Sequence, residues 1–216
     1  MAAVSRDPSE DGAPGVPPAF REAVEALRGA RLRPEVVIGD TPAPRKLAPY
    51  AFALTATIEV DGEELADGRL VLLHQPGGHE AWDGEFRLVS LGRAELEAEM
   101  ADDPLLSDVG WSWLMDALEQ QGARFTEPSG TVTRCSSHYF GALAERETST
   151  EIEIRASWTP VQDGAPGSAA GFAEHLRAWC ELLCLCAGLP PAPGVPEPAA
   201  ARSGGVVPMP TRRRPV

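Results

Sequence analysis

The segment from Ser149 to Pro160 alternates regularly between apolar and polar side chains. One set of alternate positions is apolar and contains Ile152, Ile154, Ala156 and Trp158. The intervening positions are polar and contain Glu151, Glu153, Arg155 and Ser157. Because side chains alternate across a β-strand with a period of two, the pattern predicts a strand with one face on a core and the other in water. Such a strand is typical of an antiparallel sheet that is covered on one side only, so the fold needs a second layer.

Both ends of the chain differ from the middle in composition. Residues 1–17 and 190–216 consist mainly of Pro, Ala, Gly and charged residues. They hold too few apolar side chains to offset the entropy lost on ordering. We therefore expect two disordered tails, 1–17 and 190–216, around a single domain of residues 18–189. About 170 residues are enough to bury one hydrophobic core.

The charge of the chain is unevenly distributed. The whole chain carries a formal charge of −13, the first 17 residues −2 and the last 27 residues +3, which leaves −14 for the predicted domain. A surface this acidic repels phosphate backbones, so we expect no nucleic-acid partner for the domain. The C-terminal Arg212, Arg213 and Arg214 either contact a polyanion or are simply solvated.

The chain lacks the signals of export and membrane insertion. The first residues contain no apolar run of the secretory type, and the longest uncharged apolar stretches are short or broken by proline. We therefore expect a cytoplasmic protein with no membrane contact. In that compartment the four cysteines are reduced thiols.

Periodicity along the rest of the chain predicts four helices and four further strands. The helical patterns cover about 18–30, 93–101, 108–121 and 170–187. The strand patterns cover about 51–60, 69–75, 85–91 and 131–140. Residues 31–49 hold four prolines and are predicted to be an extended connection.

This succession of elements predicts an α+β fold. Short turns between the strands favour antiparallel pairing, and the helices gather on one face. The expected architecture is a five-stranded antiparallel sheet with helices mainly on one face, in the order α-βββ-αα-ββ-α. The register of strand 131–140 against 150–159 stays open, because a slip of one residue exchanges its two faces.

Five short sequence strings are rich in Trp, Gly and Pro and are specific enough to indicate membership of a protein family. They are Arg45-Lys-Leu-Ala-Pro-Tyr50, Gly110-Trp-Ser-Trp113, Gly130-Thr-Val-Thr133, Arg155-Ala-Ser-Trp-Thr-Pro160 and Ala187-Gly-Leu-Pro-Pro191. Over about residues 18–191 the chain resembles an actinobacterial family known as domain of unknown function 3000. That resemblance implies no activity and no functional residues. In the order of its elements the chain also resembles the type III secretion chaperone-like fold.

One strand connection gathers residues that are capable of acid–base chemistry. Between two predicted strands lie His74, His79, Glu80 and Asp83, around the turn Pro76-Gly-Gly78. Loops on a rigid sheet often carry function, and an imidazole beside carboxylates can transfer a proton or hold a metal. Equally, Pro-Gly-Gly reverses a chain, and the polar residues are then its solvated edge.

Three cysteines lie close together near the end of the last predicted helix. Cys180 and Cys184 share a helical face, with Cys135 or His175 available to complete a tetrahedral site, whereas Cys186 points elsewhere. The paired spacing of structural zinc sites is absent, and free cysteine commonly fills small gaps in a core. We therefore expect no metal and no cofactor at these thiols.

Two hypotheses of function follow. The first is a non-catalytic, cytoplasmic module that binds or regulates a protein partner, or that assembles with itself. The alternative is a small enzyme or ligand-binding protein that uses the connection from His74 to Asp83. The sequence contains neither a phosphate-binding glycine motif nor a Gly-x-Ser-x-Gly elbow. Whether the protein is an enzyme stays open.

Overall fold

The computed structural model describes residues 15–101, 103–161 and 171–191, which form one antiparallel sheet with helices packed on one face. The strands are β1 (Val36–Asp40), β2 (Tyr50–Val60), β3 (Glu63–His79), β4 (Gly84–Leu96), β5 (Phe125–Ser137) and β6 (Ser149–Pro160). The helices are α1 (Pro18–Arg28), α2 (Ala98–Ala101), α3 (Leu106–Gln120) and α4 (Phe172–Cys186). Across the sheet the strands lie in the order β1-β2-β3-β4-β6-β5. The predicted α+β class and antiparallel sheet are confirmed, whereas the predicted tails lie mostly outside the described residues.

The alternation of β6 is confirmed side chain by side chain. Ile152, Ile154 and Trp158 are completely buried, whereas Glu151 and Arg155 on the other face are exposed. The buried set faces the helices and belongs to the main hydrophobic core. This strand therefore defines which face of the whole sheet is covered.

Helix α4 is buried around its whole circumference. Every residue from 178 to 184 is buried, which is two turns of helix with no exposed side. The sheet lies beneath α4, and α1 and α3 contact it from the helix layer. A helix that is apolar on all sides is stable only in such a position. The core of the domain is therefore centred on α4.

Two glycines let α4 lie close to the sheet. Gly68 of β3 and Gly92 of β4 are directly paired neighbours. A Cβ atom on Gly92 would lie 2.8 Å from Cδ2 of Leu183, and one on Gly68 would lie 2.7 Å from Cζ2 of Trp179. Side chains of α4 therefore occupy the space that a side chain at either glycine would need. Larger residues here would push the helix away from the strands.

The face of the sheet opposite the helices is only partly covered. Ala53, Val71 and Leu73 form a small second buried cluster. It is covered by the connection from β1 to β2, which contributes Ala43 and Ala48. The remainder of this face carries charged and polar side chains, as the alternation of the strands predicts.

The sheet has six strands, so the prediction of five in the order α-βββ-αα-ββ-α was wrong. The additional strand is β1, and the order among the described residues is α-ββββ-αα-ββ-α. β1 lies within residues 31–49, where prolines suggested an extended connection. Pro34 and Pro42 flank the strand and do not interrupt it. Val36 and Ile38 face the helices and extend the core by pairing with β2.

The predicted helix over 93–101 was also wrong in its first half. β4 continues to Leu96, and helix α2 begins only at Ala98. Arg93 lies opposite Glu153 of β6, and its Nε atom donates to that carboxylate at 2.9 Å. This cross-strand ion pair helps keep the segment extended where its apolar spacing suggested a helix.

The register of β5 against β6 is now defined. Val132 lies opposite Ile154, and Arg134 lies opposite Ile152. Directly opposed residues of antiparallel strands point to the same face, so these two side chains lie on the helix side. Thr133 and Cys135 therefore lie on the open face of the sheet.

His175 joins the helix layer to the sheet through a buried hydrogen bond. The Nε1–H group of Trp158 donates to Nδ1 of His175 over 3.1 Å. Burial lowers the pKa of His175 to about 4, although the charge of Glu174 and a hydrogen bond to the backbone of Arg124 oppose the shift. The imidazole is therefore neutral at pH 7, as the indole donor requires.

Replacing Trp158 tests the face that β6 presents to the core. Trp158→Ala is expected to lower the free energy of unfolding by about 3–5 kcal/mol, because it empties a large buried site. Glu153→Ala is expected to cost at most about 1 kcal/mol, because its ion pairs with Arg93 and Arg155 lie near the surface. Urea melts measure both changes. Equal losses in the two variants would contradict the assigned faces, and Trp158→Phe isolates the contribution of the indole N–H group.

The protonation of His175 predicts a loss of stability in acid. Because the folded-state pKa lies below the unfolded value of 6.5, the unfolded chain binds more protons between pH 6.5 and about 4. The stability contributed by the neutral ring is present above pH 6.5 and is lost as the pH falls to about 4. A shift of this size corresponds to about 3 kcal/mol.

Urea melts at a series of pH values measure this effect against His175→Gln, whose side chain does not titrate. The wild-type free energy of unfolding is expected to fall more steeply than that of the variant over the same pH range. Parallel curves for the two proteins would show that His175 is not the group responsible.

Candidate functional site

His74, the first of the predicted site residues, lies in the core. It is 2% exposed, and its ring stacks on that of Phe86 with 4.2 Å between centroids. The ring centroids of Phe20 and Tyr50 lie 5.8 and 5.9 Å from that of His74. Burial lowers the pKa of His74, and the charge of Glu85 opposes this shift. Its surroundings are those of a neutral packing residue within a row of aromatic rings.

The other three predicted residues lie together in one tight turn between β3 and β4. His79 precedes a single 3₁₀ turn, Glu80–Trp82, and its Nδ1 atom accepts a hydrogen bond from the backbone N–H of Ala81 at 3.2 Å. The imidazole stacks on the ring of Trp82 at 4.4 Å. Asp83 ends the turn in the left-handed conformation, with a φ of 52°. The structure brings His79, Glu80 and Asp83 together and separates them from His74, whose side chain faces the core.

A shallow cavity lies beside this turn. Its volume is about 330 Å³, near the lower end of the range of small-molecule sites. It is lined by Asp83, Gly84, Glu85, Phe86, Thr126, Thr159, Pro160 and Val161. Neither His74 nor His79 is among the lining residues. The cavity therefore combines two carboxyl side chains with two threonines, and it lacks the imidazole that the sequence suggested as a base.

A buried arginine on the open face was not singled out by the sequence. Arg87 is 7% exposed and donates to the hydroxyls of Thr159 at 3.0 Å, Ser157 at 2.8 Å and Ser129 at 3.2 Å. Burial lowers its pKa, and the charge of Glu127 opposes the shift. These bonds join β4, β6 and β5, so Arg87 fixes the start of β5 against the sheet. The alternation between Phe86 and Leu88 already places Arg87 on this face.

The thiols lie in two different environments. Cys180, Cys184 and Cys186 are buried in α4, and burial raises the pKa of Cys184 and of Cys186 to about 12. Such thiols stay protonated and are poor nucleophiles. Cys135 is exposed on β5, away from them. Among the described residues no group of three or more His, Cys, Asp or Glu side chains could hold a metal ion.

Strand β5 lies at one end of the sheet. It pairs only with β6 among the described strands, so alternate N–H and C=O groups along its other side have no strand partner in the described part of the chain. Residues 133–137 are exposed, whereas the facing residues of β6 alternate between buried and accessible positions. The strand is 13 residues long, far longer than the five-residue strand β1 at the opposite edge.

The first half of β5 carries backbone features that prevent pairing with another strand. The register shifts between Thr126 and Ser129, where Glu127 has a φ of 51° and Pro128 lacks an N–H group. Bulges and prolines are common means of protecting an edge strand. From Thr131 to Ser137 the pairing with β6 is regular and contains no proline. We call the segment 131–137 the open edge.

The turn that follows the open edge exposes apolar surface. Phe140 is 82% exposed and Leu143 is 45% exposed, although both are large apolar side chains. Phe140 immediately precedes a short 3₁₀ turn, Gly141–Leu143, in the connection between β5 and β6, and Leu143 is the last residue of that turn. Phe140 is the most exposed of the large hydrophobic residues in the described part of the chain. Exposed apolar side chains beside an unpaired strand are a common feature of binding surfaces.

Sequence reasoning identified the strand but not its position at an edge. The pattern over 131–140 predicted β5, and nothing local distinguishes an edge strand from a central one when its outer face is polar. The available signals were Glu127-Pro128, which is typical of an edge, and Phe140, a large apolar residue at the end of the strand pattern. Together they could have indicated this end of the sheet.

The described helices include none that is both long and apolar enough to cross a membrane. A family model with the description "Protein of unknown function (DUF3000)" matches residues 16–196. No curated protein and no solved structure matches the chain. The resemblance to the type III secretion chaperone-like fold therefore stays a prediction.

Proposed function

The chain belongs to the DUF3000 family of proteins of unknown function, and we propose that it is a non-catalytic module that binds an extended segment of a partner protein. The binding surface is the open edge, Thr131–Ser137, together with the exposed side chains of Phe140 and Leu143. The observation that carries this proposal is the regular, proline-free edge of β5 from Thr131 to Ser137.

An unpaired strand edge supplies a row of backbone donors and acceptors in fixed positions. A partner segment that aligns with it gains main-chain hydrogen bonds without requiring a pocket, as in other cases of β-strand addition. Because the backbone is already held straight by β6, the edge loses little entropy on binding. The open edge is seven residues long, a usual length for a strand.

The exposed aromatic side chain supplies an anchor beside the edge. A few large apolar residues usually contribute most of the affinity of an interface. Phe140 and Leu143 lie at the end of the open edge, where a paired segment would continue past Ser137. The combination of backbone pairing with an adjacent apolar anchor supports a protein ligand over a small molecule.

The state of the candidate acid–base groups supports a non-catalytic role. His74 is enclosed by aromatic rings, and the Nδ1 atom of His79 already accepts a hydrogen bond from the backbone. The thiols of α4 are buried and protonated. His74 and the thiols of α4 are therefore enclosed, whereas His79, Glu80, Asp83 and Cys135 are exposed. A cytoplasmic location is part of the proposal, since free thiols are typical of a reducing compartment.

Two proline variants test the open edge. Successive N–H groups of a strand point to opposite sides, and Thr133 and Ser136 are an odd number of residues apart. One of the two variants, Thr133→Pro or Ser136→Pro, therefore removes an N–H group that bonds to β6, and the other removes only an outward one. Thermal melts identify the variant that keeps wild-type stability. That variant is expected to lose the protein that co-purifies with the tagged wild-type chain from its native host.

Substitution of the anchor provides an independent measurement. Phe140→Ser is expected to keep its stability within about 0.5 kcal/mol, because the ring is exposed, and to lose the same protein. The matched control is Leu47→Ser, since Leu47 is 57% exposed but lies in the connection between β1 and β2. Co-purification that is unaffected by both the stable proline variant and Phe140→Ser would contradict the proposed surface.

A further inference from the structure

The open edge presents two rows of side chains that differ in chemistry. The row on the helix side is Val132, Arg134 and Ser136, which lie opposite Ile154, Ile152 and Thr150 of β6. The row on the open face is Thr131, Thr133, Cys135 and Ser137. An added strand alternates in the same way, so each of its residues lies beside one row only. The two rows therefore determine which residues a partner strand needs.

Apolar surface is left partly uncovered on the helix side of the edge. Val132 packs against the main core but is only partly buried, and the same holds for Trp111 of α3. A Cβ atom on Gly130 would lie 2.7 Å from Cζ3 of Trp111, so the indole ring lies against β5 immediately before the open edge. Directly opposed residues of neighbouring strands have Cβ atoms about 5 Å apart. An apolar side chain beside Val132 would therefore remove more of this surface from water.

Arg134 is the one charged residue of the open edge. It is exposed, and its Nη1 atom donates to the backbone oxygen of Ala101, which holds the guanidinium on the helix side. Among the described residues Arg134 forms no ion pair. An acidic side chain of an added strand, placed directly beside Arg134, is within reach of this charge.

The other charges beside the open edge have both signs. The carboxylates are those of Glu127, Glu145, Glu147, Glu151 and Glu153, and the guanidinium groups are those of Arg146 and Arg155. Glu153 pairs with Arg155 at 2.7 Å and with Arg93 at 2.9 Å. The charged residues of β6 lie on the open face, across the sheet from the guanidinium of Arg134. Selection of a partner strand therefore depends on the position of its charge and not on its net charge.

Arg134 also disfavours a second copy of the chain as the occupant. If two open edges pair over their full length, Arg134 lies beside Arg134 of the second copy in the antiparallel orientation, because it is the central residue of 131–137. The parallel in-register orientation gives the same pair. Like charges directly opposite each other destabilise a strand pair. The geometry therefore favours a strand of different sequence.

We propose that the segment bound at the open edge is a β-strand with an apolar residue beside Val132 and an acidic residue two positions away, beside Arg134. Its alternate residues, beside Thr131 and Thr133, are small or β-branched and polar, since threonine pairs are favourable across strands. The spacing is the same in the parallel and antiparallel orientations. This inference rests on the proposed function, because it names the class of strand that binds the same edge.

Synthetic peptides added to the full-length chain test the inference. The peptide Thr-Val-Thr-Glu-Thr-Val-Thr reads the same in both directions, so it places glutamate beside Arg134 and valine beside Val132 in either orientation. The control peptide has lysine in place of glutamate. Fluorescence anisotropy of the labelled peptides measures the two Kd values. The wild-type chain is expected to bind the glutamate peptide at least about threefold more tightly, given the usual strength of cross-strand charge pairs.

Charge reversal in the chain gives the matched comparison. Arg134→Glu is expected to reverse the preference between the two peptides, and Arg134→Gln to remove it without reversal. Arg155→Glu makes the same change of charge on the open face and is expected to keep the wild-type preference. Thermal melts show that each variant is folded before its Kd values are compared.

The apolar position has its own comparison. A third peptide, Thr-Thr-Thr-Glu-Thr-Thr-Thr, is expected to bind the wild-type chain more weakly than the valine-containing glutamate peptide. Val132→Thr is expected to reduce this difference, because the two apolar side chains contact each other only when both are present.

Hydrogen exchange separates failure of the inference from failure of the proposed function. Bound peptide is expected to slow exchange of the amides of 131–137. Slowed exchange there with equal Kd values for the glutamate and lysine peptides, or with a preference that Arg134→Glu leaves unchanged, overturns the inference and leaves the binding edge intact. Unchanged exchange of 131–137 with every peptide, together with co-purification that ignores the edge variants, overturns both.

Discussion

The burial of α4 against the sheet is the contact on which the other layers depend. No side of the helix between residues 178 and 184 is exposed, so it cannot be stable before β3, β4, α1 and α3 surround it. Its close approach requires Gly68 and Gly92, whose missing side chains leave room for Trp179 and Leu183. The helix also carries His175, which fixes it laterally through Trp158 of β6. One helix thus sets both the depth and the position of the core.

The position of α4 also determines which part of the sheet stays uncovered. Helix α3, packed beside α4, reaches β5 near Gly130 and Val132, where Trp111 and Gly110 lie close to the strand. Most side chains of β5 are nevertheless exposed, on both sides of Val132 along the strand. The open edge is therefore a consequence of strand order, because β5 is the last strand of an open sheet. A shorter β5 would present a shorter edge.

Much of this fold could be predicted from periodicity, because long amphipathic elements carry their burial pattern in their own residues. β6 and α4 are examples, since each shows an apolar set at the spacing of its secondary structure. Strand β1 could not be recognised this way, because five residues between Pro34 and Pro42 hold too little pattern. The last residues of β4 were assigned to a helix because Arg93 is stabilised as a strand by Glu153, a partner sixty residues away.

The candidate site was harder to predict than the fold, because its character depends on topology. His74 and His79 looked equivalent in the sequence, yet the direction of β3 places one ring in the core and leaves the other on a turn. Likewise, the residues of the open edge resemble those of any half-exposed strand, and only the strand order leaves their backbone unpaired.

Several of the reactive groups of this fold are enclosed within the domain. Four titratable groups are buried within the domain: the neutral ring of His74, the protonated thiols of Cys184 and Cys186, and the guanidinium of Arg87. An enclosed titratable group costs stability when it changes charge, so each of these is held in one state. The groups that the described residues expose to solvent include the backbone edge of β5 and the ring of Phe140, and also His79, Glu80, Asp83 and Cys135. The enclosure of the core groups therefore restricts any contact with a ligand or partner to the surface, at the turn after β3 and along β5.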